Sequence, residues 1–264
     1  MLTVDEALSI ILRKAKLLPS EKTGVADMVG RIAATDITAE LTQPPFPASA
    51  MDGYAVRFAD TTTGEKLKVI GESRAGTPFQ GNLAKDEAVR IFTGGVVPSG
   101  ADHIVIQEDI CREGDEINIT ASQPEPRHIR PAGIDFRAGD VLVRAAERLH
   151  ELHGSLLAAA NIREVNVIRR PRVALFANGD ELVDPGTALA PGQIVNSNHY
   201  GLAAMLRSWG AEPAYLGRAA DDLDEIVSYF QRGLTADIIV PIGGSSVGDH
   251  DHVRTAFQRA GGDL

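Results

Sequence analysis

The sequence predicts an α/β multidomain protein. A three-layer α/β domain with a mostly parallel sheet fills the C-terminal half, beside a β-rich domain and a small helical and extended linker domain. Three observations carry this. The chain has 264 residues, about two domains at roughly 150 residues each. Runs rich in β-branched residues at 173–177 and 238–242 are separated by amphipathic helical patterns, as in a parallel sheet covered on both faces. Between about residues 32 and 119, short β-rich runs are punctuated by Gly, Pro and Asp.

In chain order, Thr3 and Glu6 form a capping box ahead of Ala7, Ile10, Ile11, Leu12, Ala15 and Leu18, an apolar face at helical spacing that predicts a helix over 4–17. Short strands follow at 67–70, 88–92, 103–107 and 116–120. Residues 122–140 read as a loop broken by Pro and Gly, and 151–161 as a short apolar helix. After Arg169, Arg170 and Pro171, strands at 172–177, 213–216 and 237–242 alternate with helices at 198–209, 222–232 and 251–260. In such a sheet, ligands sit beyond the carboxyl ends of the strands, so 178–185, 194–198 and 243–251 should share one crevice.

Composition excludes several classes. Hydrophobic residues make up 44% and charged residues 23%, the balance of a folded soluble protein rather than a disordered one. A formal charge of −10 gives no overall field that would draw the chain to nucleic acid or an anionic membrane. No stretch approaches the ~20 apolar residues of a spanning helix, so no membrane association is expected. The lone Cys111 forbids an internal disulfide and fits a reducing compartment, the cytoplasm by default. The histidines show no metal-ligand spacing on one face, and no GxSxG elbow is present.

Several loops have the composition of a site. Gly243, Gly244, Ser245, Ser246, Val247 and Gly248 lie between a predicted strand and helix, where glycines let backbone N–H groups approach an anion. The same run is equally a tight turn with nothing bound, and Asp249 and Asp251 equally dipole partners of the next helix. Asn178, Gly179, Asp180 and Glu181 set adjacent carboxylates at the crevice mouth, either for Mg²⁺ and general-base work or as a polar turn. Asn196, Ser197 and Asn198 line the predicted rim, with Asn198 as the expected helix cap. In the first half, a DG turn at Asp52 and Gly53 precedes an expected alternating strand. Thr93 closes another strand end beside Gly94 and Gly95, and Arg130 is a candidate anion clamp near Asp135.

The ordered segments PPFPASAMDGYAVR, RIFTGGVVPSGADHIVIQED, IRPAGIDFRAGD, ANGDELVDPG, GQIVNSN and GGSSVGDHD resemble the molybdopterin molybdenumtransferase family, also called MoeA or molybdenum insertase, and the similar E domain of gephyrin. The resemblance spans residues 1–261 and implies a homodimer that inserts molybdate into adenylylated molybdopterin, cleaving the adenylate with Mg²⁺ and releasing AMP. It further implies a discontinuous linker and dimerisation domain at 1–30 and 135–168, a β-rich domain at 31–134 and a molybdopterin-binding α/β domain at 169–264. A MogA-type adenylyltransferase is the implied partner.

Carried over by motif, Asp52, Thr93, Asp135 and Glu181 are the expected catalytic residues, with Asp52 and Glu181 as metal ligands. Arg130, Gly94, Gly95, Asn178, Gly179, Asp180, Asn196, Asn198, Gly243, Gly244, Ser245, Ser246, Gly248 and Asp251 are the expected ligand-binding set. The sequence departs from the family pattern at Asn178, usually Thr, at Asn196, usually Asp, and at Pro241–Ile242, where the family pattern has Thr-Ser before the glycines. It also ends at Leu264, ahead of a family segment with two lysines, and no lysine follows Lys85. The expectation is a shortened relative with impaired or absent insertase turnover. The rival reading is a molybdopterin- or nucleotide-binding module or scaffold.

Overall fold

A computed structural model describes residues 2–244 and 252–263. Helix α1 (Val4–Lys14) is followed by β1 (Ser20–Gly24), β2 (Ile37–Thr38), β3 (Ala48–Ser49), β4 (Gly53–Val56), β5 (Lys66–Ser73) and β6 (Glu87–Ile91). Next come β7 (His103–Ile106), β8 (Ile110–Glu113), β9 (Glu116–Ile119), β10 (Ile129–Arg130), β11 (Val141–Val143), α2 (Glu151–Ala159) and β12 (Glu164–Ile168). The last part holds β13 (Arg172–Asn178), β14 (Leu182–Val183), β15 (Ile194–Val195), α3 (Asn198–Ser208), β16 (Glu212–Ala219), α4 (Leu223–Gly233), β17 (Ile238–Ile242) and α5 (His252–Arg259).

Thr3 and Glu6 close the predicted capping box on α1, with Glu6 N–H donating to Thr3 Oγ1 at 3.3 Å. The helix ends at Lys14 rather than 17, and none of its residues is buried: Val4, Leu8, Ile11 and Leu12 face solvent. Beyond it, β1 runs antiparallel to β12 and β2 to β11, tying the N-terminal segment to residues over a hundred positions later. Met28, Ala33, Ile37, Val143, Leu149, Leu157, Val165 and Val167 form the core between them. Helix α2 is capped by an imidazole, with Leu152 N–H donating to His150 Nδ1 at 3.3 Å.

The β-rich part is a six-stranded mixed sheet in the order β7-β4-β6-β5-β9-β8. Its two faces carry separate cores. Tyr54, Val56, Leu67, Val105, Ile117 and Ile119 fill one, while Ala55, Leu83, Val89, Ile91 and Ile104 fill the other. Strand β4 is therefore buried along its whole length rather than alternating between core and solvent as expected. Gly53 is obligatory there, because a Cβ would stand 2.1 Å from the Val105 carbonyl oxygen across β7.

The last sheet has the order β16-β13-β17, all three strands parallel. Side-chain alternation on β13 divides the core. Val173 and Leu175 pack with Leu202, Ala203 and Leu206 of α3, while Phe176 packs with Ile226 and Phe230 of α4 and Ala256 of α5. The sheet thus lies between helical layers, and full burial of a side chain such as Phe176 contributes roughly 1.5–3 kcal/mol. Strand β16 extends over Glu212–Ala219, longer than its apolar run implies, because a register shift between Leu175 and Phe176 keeps it paired to β13.

Candidate functional site

The six-stranded sheet builds the first group. Thr93 follows β6, Asp52 precedes β4, and these strands pair, so the two residues meet. Both the Thr93 N–H and its hydroxyl donate to Asp52 Oδ1 at 2.8 Å. These bonds from Thr93, backbone first, hold the Asp52 carboxyl below its usual range, with Arg90 adding a weaker pull. The next residues are anchored to β3: Gly94 N–H donates to the Ser49 carbonyl, and Ser49 N–H to the Gly95 carbonyl, both at 2.9 Å.

Strand β3 pairs with β10, setting Arg130 opposite Ala48. Ala48, Gly94, Arg130 and Asp135 then line one cleft of about 420 Å³. The remaining wall is Gln43, Pro44, Pro45, Phe46 and Ile134, which the sequence reading did not place in a site. Their signal in the sequence is the proline-rich run at 44–47. Arg130 and Asp135 are exposed in this cleft, free to meet a polar ligand.

The second group forms at the carboxyl end of the parallel sheet. Ile194 N–H donates to the Glu181 carbonyl and Asn196 N–H to the Val183 carbonyl, each at 2.8 Å, so the turn after β13 and the strand before α3 run together. Gly243 and Gly244 reach the same place from β17. Both have positive φ, and a Cβ on Gly244 would stand 2.9 Å from Asn178 Nδ2. Asn178 is buried and its Oδ1 has no hydrogen-bond partner among the described residues, an acceptor suited to a ligand donor. Asp180 Oδ1 accepts from Asp221 N–H at 3.2 Å, and Arg218 Nη1 donates to the Gly179 carbonyl at 3.1 Å. Glu181 is exposed at the mouth.

Two expectations are corrected here. Asn198 is the first residue of α3 and not its cap; Ser197 holds the cap position and makes no side-chain bond there. Asn196 does not line an open rim: it is 2% exposed, donates to Tyr215 Oη at 2.7 Å and meets His199 Nδ1 at 3.2 Å. The Tyr215 and His199 rings stack at 3.8 Å, and burial pushes the Tyr215 phenol up. Tyr215 also lines a cavity of about 310 Å³ with Asp184, which falls in the expected crevice segment 178–185, and with Thr187 and Arg218, which lie outside those segments. Ser245, Ser246, Gly248 and Asp251 lie outside the described residues.

Magnesium takes oxygen ligands and is commonly held through one or two carboxylates together with substrate phosphates. Asp52 offers an ionised carboxylate with one oxygen engaged by Thr93. Among the described residues no cluster of three or more His, Cys, Asp and Glu could hold a metal. This donor set fits a cation shared with phosphates and does not fit a closed protein cage.

The sequence of residues 2–161 matches the model of the MoeA N-terminal region, domains I and II, and residues 174–264 match a probable molybdopterin binding domain. The chain belongs to the MoeA family. It is 38% identical over 263 residues to the molybdopterin molybdenumtransferase of Nostoc, covering 96% of this chain and 60% of that protein. It is 34% identical to the Haemophilus influenzae protein of the same name, covering 99% of this chain and 65% of the relative. A crystal structure of the molybdopterin biosynthesis MoeA protein from Pyrococcus horikoshii superposes with a TM-score of 0.86 at 33% identity, over 98% of this chain and 66% of the other. The chain thus spans about three fifths to two thirds of the length of its MoeA relatives. Among the described residues no helix is long and apolar enough to cross a membrane.

Proposed function

We propose that this chain carries the insertase chemistry of molybdenum cofactor biosynthesis, placing molybdate on adenylylated molybdopterin while the adenylate is cleaved and AMP released. The observation that carries this reading is the Asp52–Thr93 pair beside the cleft of Gly94, Arg130 and Asp135, in a chain of the MoeA family. Arg130 supplies a fixed positive charge for an oxyanion, and the Thr93 hydroxyl is held at the cleft edge by Asp52. Asn178 Oδ1 and the Gly243–Gly244 turn offer an acceptor and a close backbone approach for the rest of the ligand. Magnesium, when bound, supplies screening of the phosphate charge, with Asp52 and Glu181 as the carboxylates to hold it. Asp135 or Glu181 takes the proton of the water that cleaves the phosphoanhydride.

Among the described residues no bond joins the Asp52 group to the Asn178 group within one chain. Completion across a two-fold axis accounts for this, and the solvent-facing apolar side of α1 supports a homodimer. The proposed domain limits are 1–30 with 135–168, 31–134 and 169–264, and the setting is the cytoplasm with a MogA-type adenylyltransferase upstream. A binding module without turnover is the second reading. It is favoured by Asn196, which is turned inward onto Tyr215 and offers the crevice no charge.

The deciding assay incubates the purified chain with adenylylated molybdopterin, molybdate and Mg²⁺ and follows AMP. Release that requires molybdate and is lost in Glu181→Ala supports the insertase. Ligand binding without AMP release establishes the module instead.

A further inference from the structure

His103 is fully buried, on β7 at the edge of the six-stranded sheet. Its Nδ1 accepts from Arg127 N–H at 2.9 Å, so the ring proton sits on Nε2. The neighbouring Ile104 N–H donates to the Arg127 carbonyl at 3.2 Å, and the two bonds hold Arg127 to the sheet edge from both sides. Directly onward, the His128 carbonyl accepts from Ala50 N–H at 2.8 Å, His128 itself has φ 66°, and Arg130 pairs with Ala48 before reaching into the cleft. The route from His103 to the cleft arginine is three residues of backbone.

We propose that His103 is a positioning residue for Arg130: as a neutral imidazole it clamps residues 127–130 to the sheet edge, and a proton on Nδ1 opens the clamp. The doubly protonated ring would set one donor against another, N–H facing N–H. Its surroundings disfavour that state. The ring meets Phe58 edge to face at a centroid distance of 5.5 Å, and Nε2 has no hydrogen-bond partner among the described residues. Beside it β4 is uncharged, while Arg57 and Asp60 on the turn bearing Phe58 pair with each other at 3.8 Å. Of the remaining charges, Asp102 favours the proton, whereas Arg127 and His128 oppose it. Burial dominates and holds the His103 imidazole below its usual value, so the clamp stays closed at neutral pH.

The inference rests on the reading of the cleft as an oxyanion site, and its test separates the two. Backbone amide exchange of the peptide covering 121–133 is followed from pH 8 to pH 5 in the whole chain, in His103→Leu and in His103→Asn, whose Oδ1 can accept where Nδ1 does. Exchange at Arg127 rises by roughly tenfold or more in His103→Leu and stays protected in His103→Asn. Acidification loosens the wild-type segment relative to His103→Asn, a response that a merely space-filling histidine would not give. Molybdate affinity, measured by calorimetry, falls in His103→Leu and recovers in His103→Asn. Equal protection in wild type and His103→Leu overturns the clamp. A loosened segment with unchanged molybdate affinity overturns its role in positioning Arg130. If the wild-type chain binds no molybdate, the reading of the cleft fails, while the exchange data still decide the clamp.

Discussion

Replacing Asp237 by Asn tests how the parallel sheet is fastened to the preceding core. Arg169 lies just after β12, and its Nη1 and Nη2 donate to the two Asp237 oxygens at 2.9 and 2.8 Å. Asp237 also accepts from Arg172 N–H at 2.7 Å, so the carboxylate joins β13 and the start of β17, whose far end carries Gly243. The Arg169 bonds above all bring the Asp237 carboxyl down to about 2. Against an ordinary value of 3.8, that shift corresponds to about 2.4 kcal/mol before screening. The paired side chains are 22% and 23% exposed, and solvent screening at such a site leaves roughly 1–2 kcal/mol.

The sign follows from proton linkage. A depressed carboxyl stabilises the fold above its unfolded value and loses that contribution as pH falls through the folded one. Urea unfolding of Asp237→Asn should therefore show a loss of roughly 1–2 kcal/mol at pH 7, and about half of that difference should be gone by pH 3. A difference of the same size at both pH values would show that packing, and not ionisation, fastens the sheet. No difference at pH 7 would refute the role of the pair.

Thr93→Val removes the hydroxyl donor to Asp52, so the Asp52 carboxyl titrates higher than in wild type, which carboxyl-carbon NMR reads directly; an unmoved titration would discount the hydroxyl. Asn196→Leu removes the partner of the buried His199 Nδ1 and should destabilise the fold by roughly 1–3 kcal/mol in urea. Gly53→Ala drives a Cβ into the Val105 carbonyl and should cost roughly 3 kcal/mol or more, seen as a large fall in Tm with lost β4–β7 amide protection.

Most elements were legible in the sequence because they follow from local chemistry. The Thr3–Glu6 box starts α1, and the runs at 173–177 and 238–242 are strands because β-branched residues between amphipathic helices suit a sheet covered on both faces. Glycine at 243 and 244 suggested room for an anion, and the structure gives them a further reason: both have positive φ, and a Cβ at either would crowd Asn178. Periodicity marks a face without naming what covers it, which is why α1 could be drawn as amphipathic while none of its side chains is buried in this chain.

Partnership was the part that only the tertiary structure decided. Asp52 and Thr93 stand 41 residues apart and meet because β4 and β6 pair in one register, which a shift of one residue would undo. The same holds for His103 and Arg127, joined at a sheet edge, and for Asn196, whose polar side chain reads as rim but finds its acceptor inside, on Tyr215. Sequence by itself determined the family motifs, the types of element and their order, since these depend on neighbours along the chain. Which side chains share a site depends on hydrogen bonds between distant segments, and those exist only once the strands have chosen their partners.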